Sequence, residues 1–186
     1  WILGSHRLMC GDSTDPKDVA ALLAGDEADL VITDPPYNVA YGEKTEYMSE
    51  SGRGQGQDRI LNDNMDDDKF YQFIYQAYMR AYEVMRPGAA IYVFHAESSG
   101  LTFRQAFIDA GLKLSECLIW EKNSFVLGRS DYQWRHEPCL YGWKEGAGHY
   151  FIDDRTQDTV LLDEERDLES MKKEDLITYI GQLEEF

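Results

Sequence analysis

The chain has 186 residues, 43% of them apolar and 13% aromatic, which is enough for one domain with a core but not for two of ordinary size. Its 35 acidic and 18 basic side chains give a net charge of −17, which excludes a strongly basic nucleic-acid binder at the level of the whole chain. Since no apolar run approaches the roughly 18 residues that cross a bilayer, we expect no membrane partner.

The beginning of the chain alternates predicted strands and helices. Residues 6–10 alternate in polarity, which predicts a strand that ends in a turn. Asp15 followed by Pro16 is typical of a helix start, and Gly25 ends the predicted helix. A β-branched strand is then predicted over 30–33.

The middle of the chain continues this alternation after a polar, glycine-rich loop predicted over 42–59. Three acidic residues at 66–68 open a long amphipathic helix, which Pro87-Gly88 ends. Further elements are a strand over 89–95, a helix over 101–110, and strands near 114–120 and 139–143. This order favours a parallel α/β sheet.

The last stretch, 153–186, differs in character from the rest. It holds 12 acidic and 4 basic residues, and its apolar residues near 176–183 have helical spacing. We therefore expect two parts, an α/β domain over 1–152 and an acidic helical segment over 153–186. Because the chain begins at Trp1 and not Met, without a signal peptide, we also expect a segment of a longer protein.

One short motif carries chemistry, and it lies where the strand over 30–33 ends: Asp34-Pro35-Pro36-Tyr37. Open α/β sheets bind ligands at the carboxyl ends of their strands. An amino group on an aromatic ring is a poor nucleophile, because its lone pair is delocalised. A carboxylate and a backbone carbonyl that each accept one amino hydrogen draw the nitrogen toward tetrahedral geometry and free that lone pair.

Each residue of the motif has a use in such chemistry. Asp34 supplies the carboxylate and Pro35 the carbonyl. The ring of Pro36 removes an amide hydrogen and stiffens the turn. Tyr37 offers a face on which an extruded base can stack. An ordinary carboxylate, with a pKa of about 4, is too weak to deprotonate an aromatic amine, so we expect Asp34 to act by hydrogen bonding and charge.

The motif resembles motif IV of the S-adenosylmethionine-dependent amino-DNA methyltransferases. The version with Asp is typical of enzymes that modify the exocyclic amine of adenine, whereas cytosine-specific relatives more often have Ser in its place. The resemblance implies methyl transfer to a flipped base in double-stranded DNA, as in restriction–modification systems.

Other segments strengthen the resemblance, which covers about residues 1–160. The opening stretch 1–14 looks like that of phage and prophage methylases in which motif IV precedes the cofactor glycine motif. The resemblance places Asp12, with Ser13 beside it, at the adenine of the methyl donor. Residues 86–95 are similar to the strand after motif IV, and 134–142 to a segment near the target base.

One departure matters for the fold. The family's donor loop, F-x-G-x-G, is absent, and Gly52-x-Gly54-x-Gly56 is no substitute, because polar residues precede it instead of a strand. The chain therefore resembles the motif-IV half of a methyltransferase, and we expect it to be inactive alone. The expected fold is an incomplete Rossmann-like α/β sheet with helices on both faces. Its motif-IV strand lacks two neighbours, so we expect a rearranged first strand, a second copy, or a complementing donor-half polypeptide.

DNA contacts require cations, which the overall charge opposes. Residues 113–149 are neutral, with five basic and five acidic side chains, and the polar loop adds further cations. The candidate DNA-binding residues are Arg53, Lys122, Asn123, Arg129, Trp134 and Arg135. For His95, at the end of a strand, a structural role is favoured over a catalytic one.

The three cysteines, Cys10, Cys117 and Cys139, are widely spaced. They predict buried free thiols in a reducing, cytoplasmic compartment and no metal site. Two alternatives to adenine methylation stay open: methylation of the cytosine amine, and a non-catalytic remnant that binds DNA or a partner.

Overall fold

A computed structural model describes residues 1–39, 61–127, 130–151, 153 and 155–162. The helices are α1 (Pro16–Leu23), α2 (Asp67–Val84) and α3 (Gly100–Asp109), with a short 3-10 turn at Glu97–Ser99. The strands are β1 (Ile2–Leu3), β2 (His6–Arg7), β3 (Ala28–Thr33), β4 (Met85–Phe94), β5 (Leu112–Val126), β6 (Trp134–Lys144) and β7 (Val160–Leu162). The helices predicted to begin at Asp15-Pro16 and at 66–68, the strand at 89–95 and the helix at 101–110 are thus present. The long helix, however, ends at Val84 rather than at Pro87-Gly88, and these two residues belong to β4. The polar loop at 42–59 lies outside the described residues.

Helix starts follow the local chemistry that the sequence predicts. The Asp15 side chain accepts a hydrogen bond from the Lys17 amide at the start of α1. Asp66 does the same for the Lys69 amide at the start of α2. These caps satisfy amides that have no partner inside the helix.

Five strands form one sheet in the order β3-β4-β6-β5-β7. β3 is parallel to β4, and β7 is parallel to β5, but β6 is antiparallel to both of its neighbours. The expected all-parallel sheet is therefore wrong in one strand. The physical reason is the short connection from β5 to β6, since a parallel return needs a crossover of a dozen or more residues.

The first strand is the second correction. Residues 6–10 do not join the sheet; β2 pairs with β1 in a two-stranded antiparallel hairpin. Within the described residues, β3 is consequently an edge strand of the five-stranded sheet. One of the three expected outcomes is a rearranged first strand that pairs with β3. This expectation is wrong, because the first strand does not lie beside β3.

The core lies on one face of the sheet. The fully or nearly buried side chains come from α2, α3 and alternate positions of the central strands: Phe70, Ile74, Tyr78, Ala89, Ile91, Val93, Phe103, Phe107 and Leu140. The opposite face carries half-buried aromatic side chains, including Tyr92 and Tyr141, whose rings are 4.9 Å apart. Both α2 and α3 therefore cover the same face, and a helix layer on the aromatic face stays a prediction.

The acidic segment contributes to the sheet before its expected helix begins. β7 pairs with β5 through Ile119 and Val160, so the sheet extends past residue 152. The helical pattern near 176–183 lies outside the described residues. No helix in the described part of the chain is both long and apolar enough to span a membrane. Cys139 is buried as expected, whereas Cys10 is exposed.

Gly142 provides a test of the packing between β6 and its neighbours. A Cβ at this position would lie 2.0 Å from the Lys113 carbonyl oxygen, so the Gly142→Ala substitution must shift backbone. We expect a loss of about 1–3 kcal/mol in the free energy of unfolding, measured with urea. Gly148→Ala is the matched control, because a Cβ there meets no atom within 4 Å. Equal stability of the two variants would contradict the close approach.

Candidate active site

The motif at residues 34–37 lies at the carboxyl end of strand β3. Thr33 is the last paired residue, opposite Val93 of β4, and the exposed Asp34 follows directly. Asp34, Pro35 and Pro36 line two separate cavities. The motif therefore lines two spaces, each large enough to hold a ligand.

The larger cavity, which we call the β3 groove, has a volume of about 770 Å³ and follows the unpaired side of β3. Its walls are apolar side chains of α1 and α2 together with Ser5, His6 and Arg7 of the N-terminal hairpin, and Ser13 lines it with the motif. The smaller cavity, the Tyr37 recess, has about 350 Å³ and is lined by the motif, Val39, Asp63 and Glu137. Both volumes lie in the range of small-molecule sites, about 300–1,000 Å³.

Tyr37 connects the motif to β6. Its hydroxyl donates to Asp34 Oδ1 at 2.5 Å and lies 3.3 Å from Glu137 Oε2. Glu137 is in turn paired with the Lys122 ammonium of β5. Burial, followed by the hydrogen bond to Asp34, raises the pKa of the Tyr37 hydroxyl far above its usual value. The hydroxyl therefore remains a donor at any physiological pH.

The ring of Tyr37 packs against another aromatic side chain. It meets Phe103 of α3 edge-on, with 6.4 Å between ring centroids. Phe103 stacks on the other side with His95, at 5.2 Å. His95 is fully buried and burial lowers its pKa, so it is neutral. Its Nδ1 lies 3.0 Å from the Ala96 carbonyl oxygen, whereas its buried Nε2 has no hydrogen-bond partner among the described residues, and its structural role stays a prediction.

The turn after the motif is clamped to the segment before α2. Asn38 has a left-handed backbone with φ of 58°. Its side-chain amide donates to the Met65 carbonyl at 3.0 Å, and its oxygen accepts from the Met65 amide at 2.6 Å. The buried Asp63 carboxylate accepts from the Val39 amide at 3.1 Å. These bonds fix where the chain leaves the site.

One of the two residues expected at the methyl donor, Ser13, lines the β3 groove, and Asp12 precedes it in the chain. Asp12 and Ser13 are exposed. The Asp12 carboxylate accepts from the Thr14 amide at 2.8 Å and from the Thr14 hydroxyl at 2.7 Å. These two bonds, the amide first, lower the pKa of Asp12, so it is charged. Ser13 lines the same groove as Asp34, whereas Asp12 stands beside it.

The candidate DNA-binding residues divide into three groups. Lys122 and Trp134 line a third cavity of about 420 Å³ that also borders Tyr37. Arg135 donates to the Lys122 carbonyl at 3.1 Å and pairs with Glu121 at 3.0 Å, and Asn123 is exposed on β5. Arg53 and Arg129 lie outside the described residues.

Two residues of the site were missed by sequence reasoning. Glu137 lies in the segment 134–142 that resembles the family, yet nothing local distinguishes it, because its partner is 100 positions away. Asn38 carried a usable signal, since an asparagine just after a turn tolerates left-handed backbone and bonds readily to nearby backbone groups.

With this geometry in place, comparison with known proteins identifies the class. A family model described as a DNA methylase, of the N6/N4 type, matches residues 28–180. The match covers most of the chain, and the chain belongs to this family.

Individual relatives agree with that membership. The type II methyltransferase M.HpaI of Haemophilus parainfluenzae is 25% identical over 153 residues, which are 81% of this chain and 42% of the relative. The crystal structure of M1.HpyAVI is 16% identical, with a TM-score of 0.54 over 82% of this chain and 64% of that one. The chain thus spans about half of the relatives' length, and the fold is that of a methyltransferase sheet, in part.

Asn38 allows the clamp to be tested. Asn38→Ala removes both bonds to Met65 and keeps a Cβ in left-handed backbone. We expect it to lower the free energy of unfolding by about 1–3 kcal/mol, measured with urea. Asn38→Gly loses the same bonds without the backbone cost, so we expect about 1 kcal/mol less destabilisation. An unchanged stability of Asn38→Ala would show that the clamp contributes nothing.

Proposed function

We propose that this chain is the catalytic-motif part of a DNA methyltransferase that modifies the exocyclic amine of adenine in double-stranded DNA, in the cytoplasm. Asp34 and the Pro35 carbonyl accept the two amino hydrogens, and the ring of Tyr37 stacks on the extruded base. Negative charge on Asp34 stabilises the positive charge that develops on the nitrogen as it is alkylated.

The observation that carries this proposal is that Asp34, Pro35 and Pro36 line both the β3 groove and the Tyr37 recess. A displacement in line needs the methyl donor and the amine on opposite sides of the transferred carbon. The β3 groove can hold the donor while the Tyr37 recess holds the base. The amine nitrogen therefore has to lie beside the residues that line both cavities.

The methyl donor proposed is S-adenosylmethionine, whose sulfonium makes its methyl group electrophilic. M1.HpyAVI has been crystallised in complex with this compound. The β3 groove has the volume for such a ligand, and the charged Asp12 and Ser13 stand at its border. These residues fit one end of the donor, and the donor loop of the family would have to supply the remaining contacts.

Adenine is proposed over cytosine because Asp stands first in the motif. The same two acceptors would serve either amine, so the choice depends on how the recess fits a purine or a pyrimidine. We propose that Lys122, Asn123, Trp134 and Arg135, with Arg53 and Arg129, approach the DNA beside this recess.

Removal of the Asp34 carboxylate tests the proposed role. In the methylase that contains this sequence together with its donor half, we expect Asp34→Ala to lower the rate of methyl transfer about 10²–10³-fold, because one of two preorganised acceptors is lost. Genomic DNA is incubated with the donor and digested, and N6-methyladenine and N4-methylcytosine are quantified by mass spectrometry.

Glu145→Ala is the control, since this exposed carboxylate follows β6 and lines neither cavity. We expect it to leave the rate unchanged. Turnover of Asp34→Ala within threefold of the parent would remove Asp34 from the reaction. If N4-methylcytosine is the main product, the substrate is the cytosine amine and the proposal of adenine is wrong.

The edge of β3 points to a missing neighbour. Leu30 and Ile32 are 50% and 66% exposed, although they belong to a strand of the central sheet. Together with the chain's short span against its relatives, this favours a donor-half polypeptide as the neighbour of β3, which would leave the motif end of the β3 groove for the methyl donor. We propose that its strands pair with β3 and complete the sheet.

This proposal predicts that the 186-residue chain alone lacks a complete donor site. We expect isothermal calorimetry with S-adenosylmethionine to give no binding at micromolar concentrations, since the donor loop is contributed from elsewhere. Micromolar binding would contradict the proposal.

Sedimentation velocity separates the donor half from a second copy as occupant of the edge. We expect a monomer at all concentrations. A dimer that Ile32→Lys abolishes, while Ile108→Lys on the exposed side of α3 does not, would show that a second copy covers β3.

A further inference from the structure

The Tyr37 hydroxyl stands between two carboxylates. It is 2.5 Å from Asp34 Oδ1 and 3.3 Å from Glu137 Oε2. A phenol carries one hydrogen and can donate fully to only one acceptor at a time. The hydrogen bond in the structure goes to Asp34, the residue that the proposed function assigns to the incoming amine.

A conflict follows from this arrangement. Each carboxylate oxygen has two lone pairs, so an amine can bind beside the phenol. A hydrogen bond from the phenol, however, withdraws electron density from the Asp34 carboxylate. The carboxylate is then a weaker acceptor for the amine. Catalysis by the Asp34 carboxylate is strongest when the phenol donates elsewhere.

Glu137 is placed to take over that hydrogen bond. Its side chain is 25% exposed, and its Oε1 is held by the Lys122 ammonium, which leaves Oε2 facing Tyr37. Lys122 is itself positioned over the ring of Trp120, 5.4 Å from the centroid. The pair fixes the carboxylate from the neighbouring strand β5.

Only a small movement is required for the exchange. Because the phenol oxygen is already within 3.3 Å of Glu137 Oε2, rotation about the Cζ–O bond redirects the hydrogen while the ring keeps its contact with Phe103. Asp34, Tyr37 and Glu137 all line the Tyr37 recess, so a base that enters it reaches all three.

We propose that Glu137 is a positioning residue that accepts the Tyr37 hydroxyl when the base binds and thereby releases Asp34 for the amine, an inference that rests on the proposed function. No covalent bond is made or broken and no proton is transferred. The phenol keeps its hydrogen and donates it to a different acceptor. Lys122 serves this step by orienting Glu137. The raised pKa of Tyr37 agrees with a hydroxyl that always has a hydrogen to donate.

The acceptor exchange can be tested on the 186-residue chain without catalysis. With tyrosine labelled at Cζ by carbon-13, the Tyr37 resonance is assigned by its loss in Tyr37→Phe. In Asp34→Ala we expect this signal to stay at the position of a hydrogen-bonded phenol, because the hydroxyl turns to Glu137. In Asp34→Ala with Glu137→Ala we expect it to move to the position of a phenol bonded only to water.

If Asp34→Ala alone already shows the water-bonded position, Glu137 is not an alternative acceptor and the inference is wrong. Glu121→Ala in the Asp34→Ala background is the matched control. Glu121 belongs to β5 and pairs with Arg135 on β6, so its loss removes an ion pair between the same two strands. We expect it to leave the Tyr37 signal in place.

A kinetic cycle tests whether the exchange matters for methyl transfer. In the methylase with its donor half, we expect Glu137→Ala to lower kcat about tenfold with little change in KM for DNA. In the Tyr37→Phe background, where no hydroxyl competes for Asp34, Glu137→Ala should have no further effect on kcat. Equal losses of kcat in both backgrounds would show that Glu137 acts through strand pairing alone, and would overturn the inference.

The two proposals fail in different ways. Absence of any methylated base from the parent protein would refute the proposed function, whereas the carbon-13 experiment would still report on the acceptor exchange. Methyl transfer that depends on Asp34 but shows no coupling between Tyr37 and Glu137 would refute the exchange alone.

Discussion

The parallel pairing of β3 with β4 is the constraint on which the site depends. It places Thr33 opposite Val93 and brings Asp34 out of the sheet one residue later. In the described part of the chain this ladder holds β3 from one side only. The turn that follows therefore needs other anchors: Tyr37 lies against Glu137 on β6, Asn38 is clamped to Met65, and the Val39 amide donates to Asp63. Asp34, at the end of the strand, is thus fixed by contacts from the sheet, from β6 and from the segment before α2.

The molecule divides into a closed side and an open side. On β4 and β6, Ile91, Val93 and Leu140 are fully buried beneath α2 and α3, whereas Leu30 and Ile32 on β3 remain exposed. Burial of apolar area stabilises by about 25 cal/mol per Å², so the closed side can fold by itself while the open side gains from a partner. The motif lies at the boundary between them. Assembly with the donor half would thus complete the sheet and the site in one step.

Local chemistry made part of this structure predictable. The caps at Asp15 and Asp66 and the strand that ends in the motif depend on residues close in sequence, and all three are present. The insertion of β6 between β4 and β5, and the hairpin formed by the first residues, depend on pairings between distant segments, which hydrophobic periodicity does not encode. Glu137 belongs to the same group, since only the folded sheet brings it to Tyr37.

The charges argue for a division of labour between two parts of the methylase. Of the four cations described within 113–149, Lys122, Arg135 and Lys144 each have partners in the chain. A lysine that neutralises Glu137 contributes less to a phosphate than a free one, and the chain carries −17 in total. In the proposed assembly with a donor half, we therefore expect most of the electrostatic affinity for DNA to come from that half. Lys122, a cation near the motif, instead orients the Glu137 carboxylate, and in the proposed mechanism that arrangement sets how strongly Asp34 acts on an amine.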